Sequence, residues 1–124
     1  MTPNQIVTAR AAIQELSRVV LPYKTARQVA RLKRRIDEEF EVVTSMEKAI
    51  VEEFGGSMEG LRRKFPDEST AVAFDEKMRL YMEEETEIKL PTVDLSKYAE
   101  NIRISPATID ALDGLVKWEA KSDG

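Results

Sequence analysis

Two carboxylates and a lysine stand in the order that many metal-dependent nucleases use. Pro66-Asp67 is followed by Glu87-Ile88-Lys89, the PD…ExK pattern. In that chemistry Asp67 and Glu87 hold Mg²⁺ through carboxylate oxygens, and Lys89 activates water or stabilises charge. The pattern needs its two parts on neighbouring strands. Here the residues between them read as a helix, and Asp67 falls where that helix needs an N-cap. The plainer reading is a cap followed by an edge strand. The chain has no histidine and no cysteine. That removes Ser-His and Cys-His catalysis, disulfides, structural zinc and imidazole switching. Gly55-Gly56-Ser57 is no phosphate loop, because no Gly-Lys-Ser/Thr follows it and no strand precedes it. The expectation is a protein that is not an enzyme and uses no cofactor and no metal.

Binding chemistry is better represented. Lys24, Arg27, Arg31, Arg34 and Arg35 recur at helical spacing and form one basic face. Such a face can track phosphates with a strong salt dependence. Against it, no aromatics are interleaved for base stacking, and the chain turns acidic at once, in Asp37-Glu38-Glu39-Phe40-Glu41. Arg34–Glu38 and Arg35–Glu39, four residues apart, also suit intrahelical ion pairs worth a few tenths of a kcal/mol. The division is general. Residues 1–36 carry eight Lys or Arg against one acid, Glu15, and residues 37–124 carry eleven against 22 acids, for a net charge of -4. The favoured reading is a solvated helix whose charges pair within the fold, with a nucleic-acid surface as the rival.

Glu83, Glu84 and Glu85, with Glu87, make a second charged candidate. They lack the spaced Asp/Asn and Gly of a calcium loop. Three acids at a helix C-terminus oppose the helix dipole, so a positive group should lie nearby. Arg62-Arg63-Lys64 and the block at 31–35 are the candidates for it. The rival reading is an acidic face that docks on a basic host protein as an inhibitor.

The elements that position these residues follow from capping and periodicity. At 124 residues the chain supports a single domain. Thr2-Pro3-Asn4-Gln5 starts a helix over 3–19, with Ile6, Ile13, Leu16 and Val20 inward. Leu21-Pro22 ends it. A second helix runs from Tyr23 to Phe54 with an apolar stripe of Ala26, Val29, Leu32, Ile36, Phe40, Val43, Ala49 or Ile50, and Phe54. Gly55-Gly56 stops it. Together these make an antiparallel hairpin over 3–54. Residues 55–69 read as a loop, with one helical turn available to Met58, Leu61 and Phe65. A third helix over 70–85 is capped by Asp67 or Ser69, and its stripe is Val72 or Ala73, Phe74, Met78, and Tyr81 or Met82. Residues 86–119 read as a small two- or three-stranded β element with a short helix after Ser105-Pro106. Glu87 to Leu90 and Ile102 to Ile104 are strand-like by alternation, Val93 and Leu95 extend the first, and Leu115 to Trp118 fits strand or helix. Residues 120–124 read as a frayed tail. The fold class is α+β, mainly helical.

The order of these features resembles that of small domain-of-unknown-function proteins of tailed bacteriophages and prophages of Gram-positive-type bacteria. The likeness lies in the helix ending at Leu21-Pro22, the long charged helix from Ala26 to Phe54, and the Glu87-Ile88-Lys89-Leu90-Pro91-Thr92-Val93 stretch. It closes with Ile104-Ser105-Pro106 and the element from Leu115 to Trp118. The resemblance implies a phage origin and a non-enzymatic role, and it carries no functional residues over. The function expected is that of an accessory or structural protein working through protein contacts in particle assembly. The first helix can cover the first half of the long amphipathic one, and the second half needs the rest of the chain or another subunit. A homo-oligomer, first a dimer, is expected. Phe40, Val43, Ile50, Phe54 and Trp118 are its expected interface. No apolar run approaches the ~18 residues of a membrane span, and the N-terminus does not read as a signal peptide. The expected location is the host cytoplasm or the virion.

Overall fold

Thr2 accepts from the Gln5 backbone N–H at 3.1 Å, and the Gln5 side chain accepts from the Thr2 N–H at 2.8 Å. This completes a capping box, with Pro3 at the first helical position. It opens α1 (Pro3–Leu16) of a computed structural model that describes residues 1–119. The expected frayed tail at 120–124 lies outside the described residues. α1 stops three residues before the expected end at 19. The Ser17 hydroxyl donates to the Gln14 carbonyl at 2.8 Å, and the next N–H groups of Arg18 and Val19 close three-residue turns. Val20, expected inward, is 97% exposed as a result.

α2 (Tyr23–Glu53) is one helix of 31 residues, about 45 Å long at 1.5 Å per residue. Its end is a complete Schellman motif. The Gly56 N–H reaches the Val51 carbonyl at 2.9 Å, and the Gly55 N–H reaches Glu52 at 3.0 Å. Gly55 has φ 73°, which suits glycine at this position.

The expected loop at 55–69 is instead a β-hairpin followed by a helix cap. β1 (Ser57–Glu59) and β2 (Arg62–Lys64) pair antiparallel, with Met58 opposite Arg63. Gly60, at φ 63°, takes the first position of the two-residue turn, as a type II′ hairpin requires. No helical turn forms at Met58, Leu61 and Phe65. α3 (Glu68–Met82) begins and ends before the expected 70–85. Asp67 caps it, accepting from the Thr70 N–H and hydroxyl, each at 2.7 Å. The glutamates that would oppose its dipole fall at the C-cap and beyond.

After α3 no strand forms among the described residues until β3 (Val93–Asp94), although the Thr86 N–H donates to the Met1 carbonyl at 3.1 Å and the Met1 amino group to the Thr86 carbonyl at 3.0 Å. The expected strands at 87–90 and 102–104 do not form. Their alternation reports facing instead, since Ile88, Leu90, Ile102 and Ile104 are half-buried while Glu87, Lys89 and Arg103 are exposed. A 3₁₀ turn (Ala99–Asn101) and α4 (Pro106–Ala111) follow. β4 (Val116–Lys117) then pairs parallel with β3, with Val93 opposite Val116. A parallel pair needs a crossover, which the 3₁₀ turn and α4 supply. Residues 116–117 are thus strand.

The fold is α+β and mainly helical. It buries two apolar clusters. One joins Ile13, Leu16, Leu32 and Ile36 of the hairpin to Val93, Leu95, Leu112 and Val116. The other is small: Ile50, Val51 and Phe74, ringed by Phe54, Met58, Phe65, Met78 and Tyr81. α2 supplies residues to both.

Candidate functional site

The two parts of the nuclease-like pattern do not meet on paired strands. Asp67 is a helix cap, Glu87 and Lys89 lie between α3 and β3, and the whole of α3 separates the two parts. Among the described residues no three acidic side chains converge as metal ligands would.

The expected interface residues are covered from within the chain. Val43 and Ile50 are buried. Phe40 is half-buried beneath the Arg10 guanidinium, 4.2 Å from its ring centroid, and Phe54 lies under the Lys77 ammonium at 6.0 Å. Trp118 packs on the larger cluster, and its indole N–H is buried with no acceptor among the described residues. The α2 stripe, read as needing the first helix and then the rest of the chain or another subunit, packs within the chain against α1, α3, the β-hairpin and the C-terminal elements.

The unfilled apolar surface lies one face further round α2. Antiparallel packing of α3 against the last four turns of α2 leaves an open groove of about 590 Å³. Met46, Ala49 and Ile50 line it from α2, and Leu80 and Tyr81 line it from α3. Leu80 is 56% exposed and Met46 44%, and Val42, 59% exposed, continues the strip along α2. Glu53 and Lys77 close one end, and Glu84 stands at the other. The Lys77 ammonium donates to both Glu53 oxygens at 2.6 Å. Burial first, then the charges of Glu84 and Glu39, push the Tyr81 phenol above its ordinary pKa. A groove of this kind binds apolar side chains on a helical or extended backbone.

The basic face divides into engaged and free parts. Arg35 donates to Glu38 at 2.6 Å and to Glu39 at 3.4 Å, so Glu38 is taken by Arg35 and the expected Arg34–Glu38 pair does not form. Lys24, Arg27, Arg31 and Arg34 are exposed and have no ion-pair partner among the described residues. The acidic run is divided too. Glu83 is held by Arg79 at 3.1 Å, and Glu85 by the Met1 amino group at 3.0 Å. Neither of the expected counter-charges, 62–64 or 31–35, fills that role. Glu84 and Glu87 have no ion-pair partner among the described residues.

Sequence reasoning missed the groove. Its signal was present in Val42, Met46 and Ala49, which recur at steps of four and three beside the main stripe of α2. No protein-family model, no curated protein and no solved structure matches the chain.

Proposed function

We propose that this protein is a non-catalytic contact module whose docking surface is the groove between α2 and α3. One observation carries the reading: Met46, Ala49, Leu80 and Tyr81 form a contiguous apolar groove over the smaller of the two clusters. Contiguous apolar grooves rimmed by charge mark protein-contact sites. The phage-like order of features supplies a setting, particle assembly. A photo-crosslinking residue placed at Leu80 tests the reading in native cells, with the same residue at Glu100 as control. The expected result is a protein adduct from position 80 and none from position 100. A probe at 80 that captures no protein overturns the reading.

A second reading rests on Lys24, Arg27, Arg31 and Arg34, whose exposed and unpaired charges favour a polyanion such as duplex DNA. It predicts binding, read by fluorescence anisotropy, that weakens steeply with salt and is abolished by Arg31→Glu with Arg34→Glu. Binding unchanged by that double substitution refutes it.

A further inference from the structure

We infer that the occupant of the groove is a second copy of this chain, related by a two-fold axis that passes between Leu80 and Tyr81. The inference rests on reading the groove as a protein-contact surface. Lys77, Leu80 and Tyr81 line the groove at the i, i+3, i+4 spacing of one face of α3, and Glu84, two residues past the end of that helix, lines it as well. Their arrangement is self-complementary. A two-fold axis at the midpoint lays the two α3 helices antiparallel and brings each Lys77 opposite the partner's Glu84. The same operation sets Leu80 of each copy beside the partner's Tyr81. An isologous interface demands such a match of a surface with itself.

The chemistry at each position fits. Lys77 uses two donor contacts on Glu53, and an ammonium has three donors. Glu84 is exposed and has no ion-pair partner among the described residues. Leu80 projects as a knob, and Ala49, small and exposed on the facing helix, leaves a hole beside Met46. A wholly acidic partner would meet Glu53 at one end of the groove and Glu84 at the other. A copy of the same chain brings a carboxylate, the partner's Glu84, to the remaining donor of each Lys77.

Sedimentation equilibrium of the full chain tests this, with Lys77→Glu and Glu84→Lys as variants. Each single variant sets like charges against each other at both contacts, and about a tenfold rise in the dimer dissociation constant is expected. An equimolar mixture of the two variants sets opposite charges at both contacts and should restore association. Leu80→Asp, at an exposed position, should give a folded monomer by circular dichroism. A parent dimer whose variant mixture is not rescued, or whose Leu80→Asp variant still dimerises, overturns the proposed axis. A monomeric parent overturns the second copy. If position 80 still cross-links another protein in that case, the contact reading survives. If it cross-links none, both fall.

Discussion

Glu15 and Thr108 are 93 positions apart, and the Glu15 carboxylate accepts the Thr108 hydroxyl hydrogen. The same carboxylate accepts from the Ser105 N–H and the Ser105 hydroxyl, each at 3.0 Å. Ser105 itself caps α4, accepting from the Thr108 N–H at 3.3 Å. A side chain from the first helix thus reinforces the cap of the last, and the ends of the chain are joined by polar contacts as well as by the larger apolar cluster.

This contact carries a pH dependence. The Thr108 hydroxyl first, then the Ser105 N–H and hydroxyl, hold the Glu15 carboxyl below its ordinary value of 4.5. The folded chain binds this proton less readily than the unfolded chain does. The stability it contributes is complete above the ordinary value and is lost as pH falls through the lower folded one. Glu15→Gln should lower the thermal midpoint at pH 7 and lessen the decline between pH 5 and 3. An acid limb identical to the parent's would show that Glu15 contributes nothing.

Ser105→Ala removes the cap and one of the Glu15 contacts, the one made by the hydroxyl, together. A loss of about 1 kcal/mol in urea unfolding is expected. The effects of Ser105→Ala and Glu15→Gln should be less than additive, because they act on the same contacts.

Gly56 is required by space. A Cβ there would meet the Lys64 carbonyl oxygen and the Phe65 ring at 2.7 Å. Gly56→Ala should cost about 1–3 kcal/mol. At Gly60 nothing lies within 4 Å, so Gly60→Ala should cost only the left-handed backbone, about 1–2 kcal/mol. Chemical denaturation of the two variants gives the order.

Phe74 is the only fully buried side chain that α3 contributes. Its ring lies 4.9 Å from that of Phe65, with the Arg63 guanidinium 5.0 Å from its centroid. Phe74→Ala should cost about 3–5 kcal/mol. Hydrogen exchange should rise first in α3 and the β-hairpin, while the amides of α1 and α4 keep their protection.

The helices were legible because their boundaries rest on local chemistry. Thr2-Pro3, Asp67, Ser105-Pro106 and Gly55-Gly56 act through hydrogen bonds and backbone angles within a few residues. The hairpin at 57–64 was missed because its strands are three residues long and mostly charged, so no apolar alternation marks them. Glu87 to Leu90 misled for the opposite reason. Alternation records which side faces the core, whereas pairing depends on what lies alongside, and within residues 86–119 only β3 and β4 find each other. The groove was hidden because the stripe of α2 said which residues pack but not which partner reaches them. Phe40 and Phe54 read as a contact for another subunit, and Arg10 and Lys77 cover them instead.

The unbroken course of α2 has a consequence for insertions. Its 31 residues contain no glycine or proline, so the helix has no built-in hinge between the two clusters it serves. One residue added between Arg35 and Val43 would rotate the smaller cluster by about 100° about the helix axis and advance it by about 1.5 Å. Seven added residues would restore the facing to within about 20° while moving it about 10 Å. Tolerance to length in this stretch should therefore follow the phase of the helix, with seven residues better accepted than one.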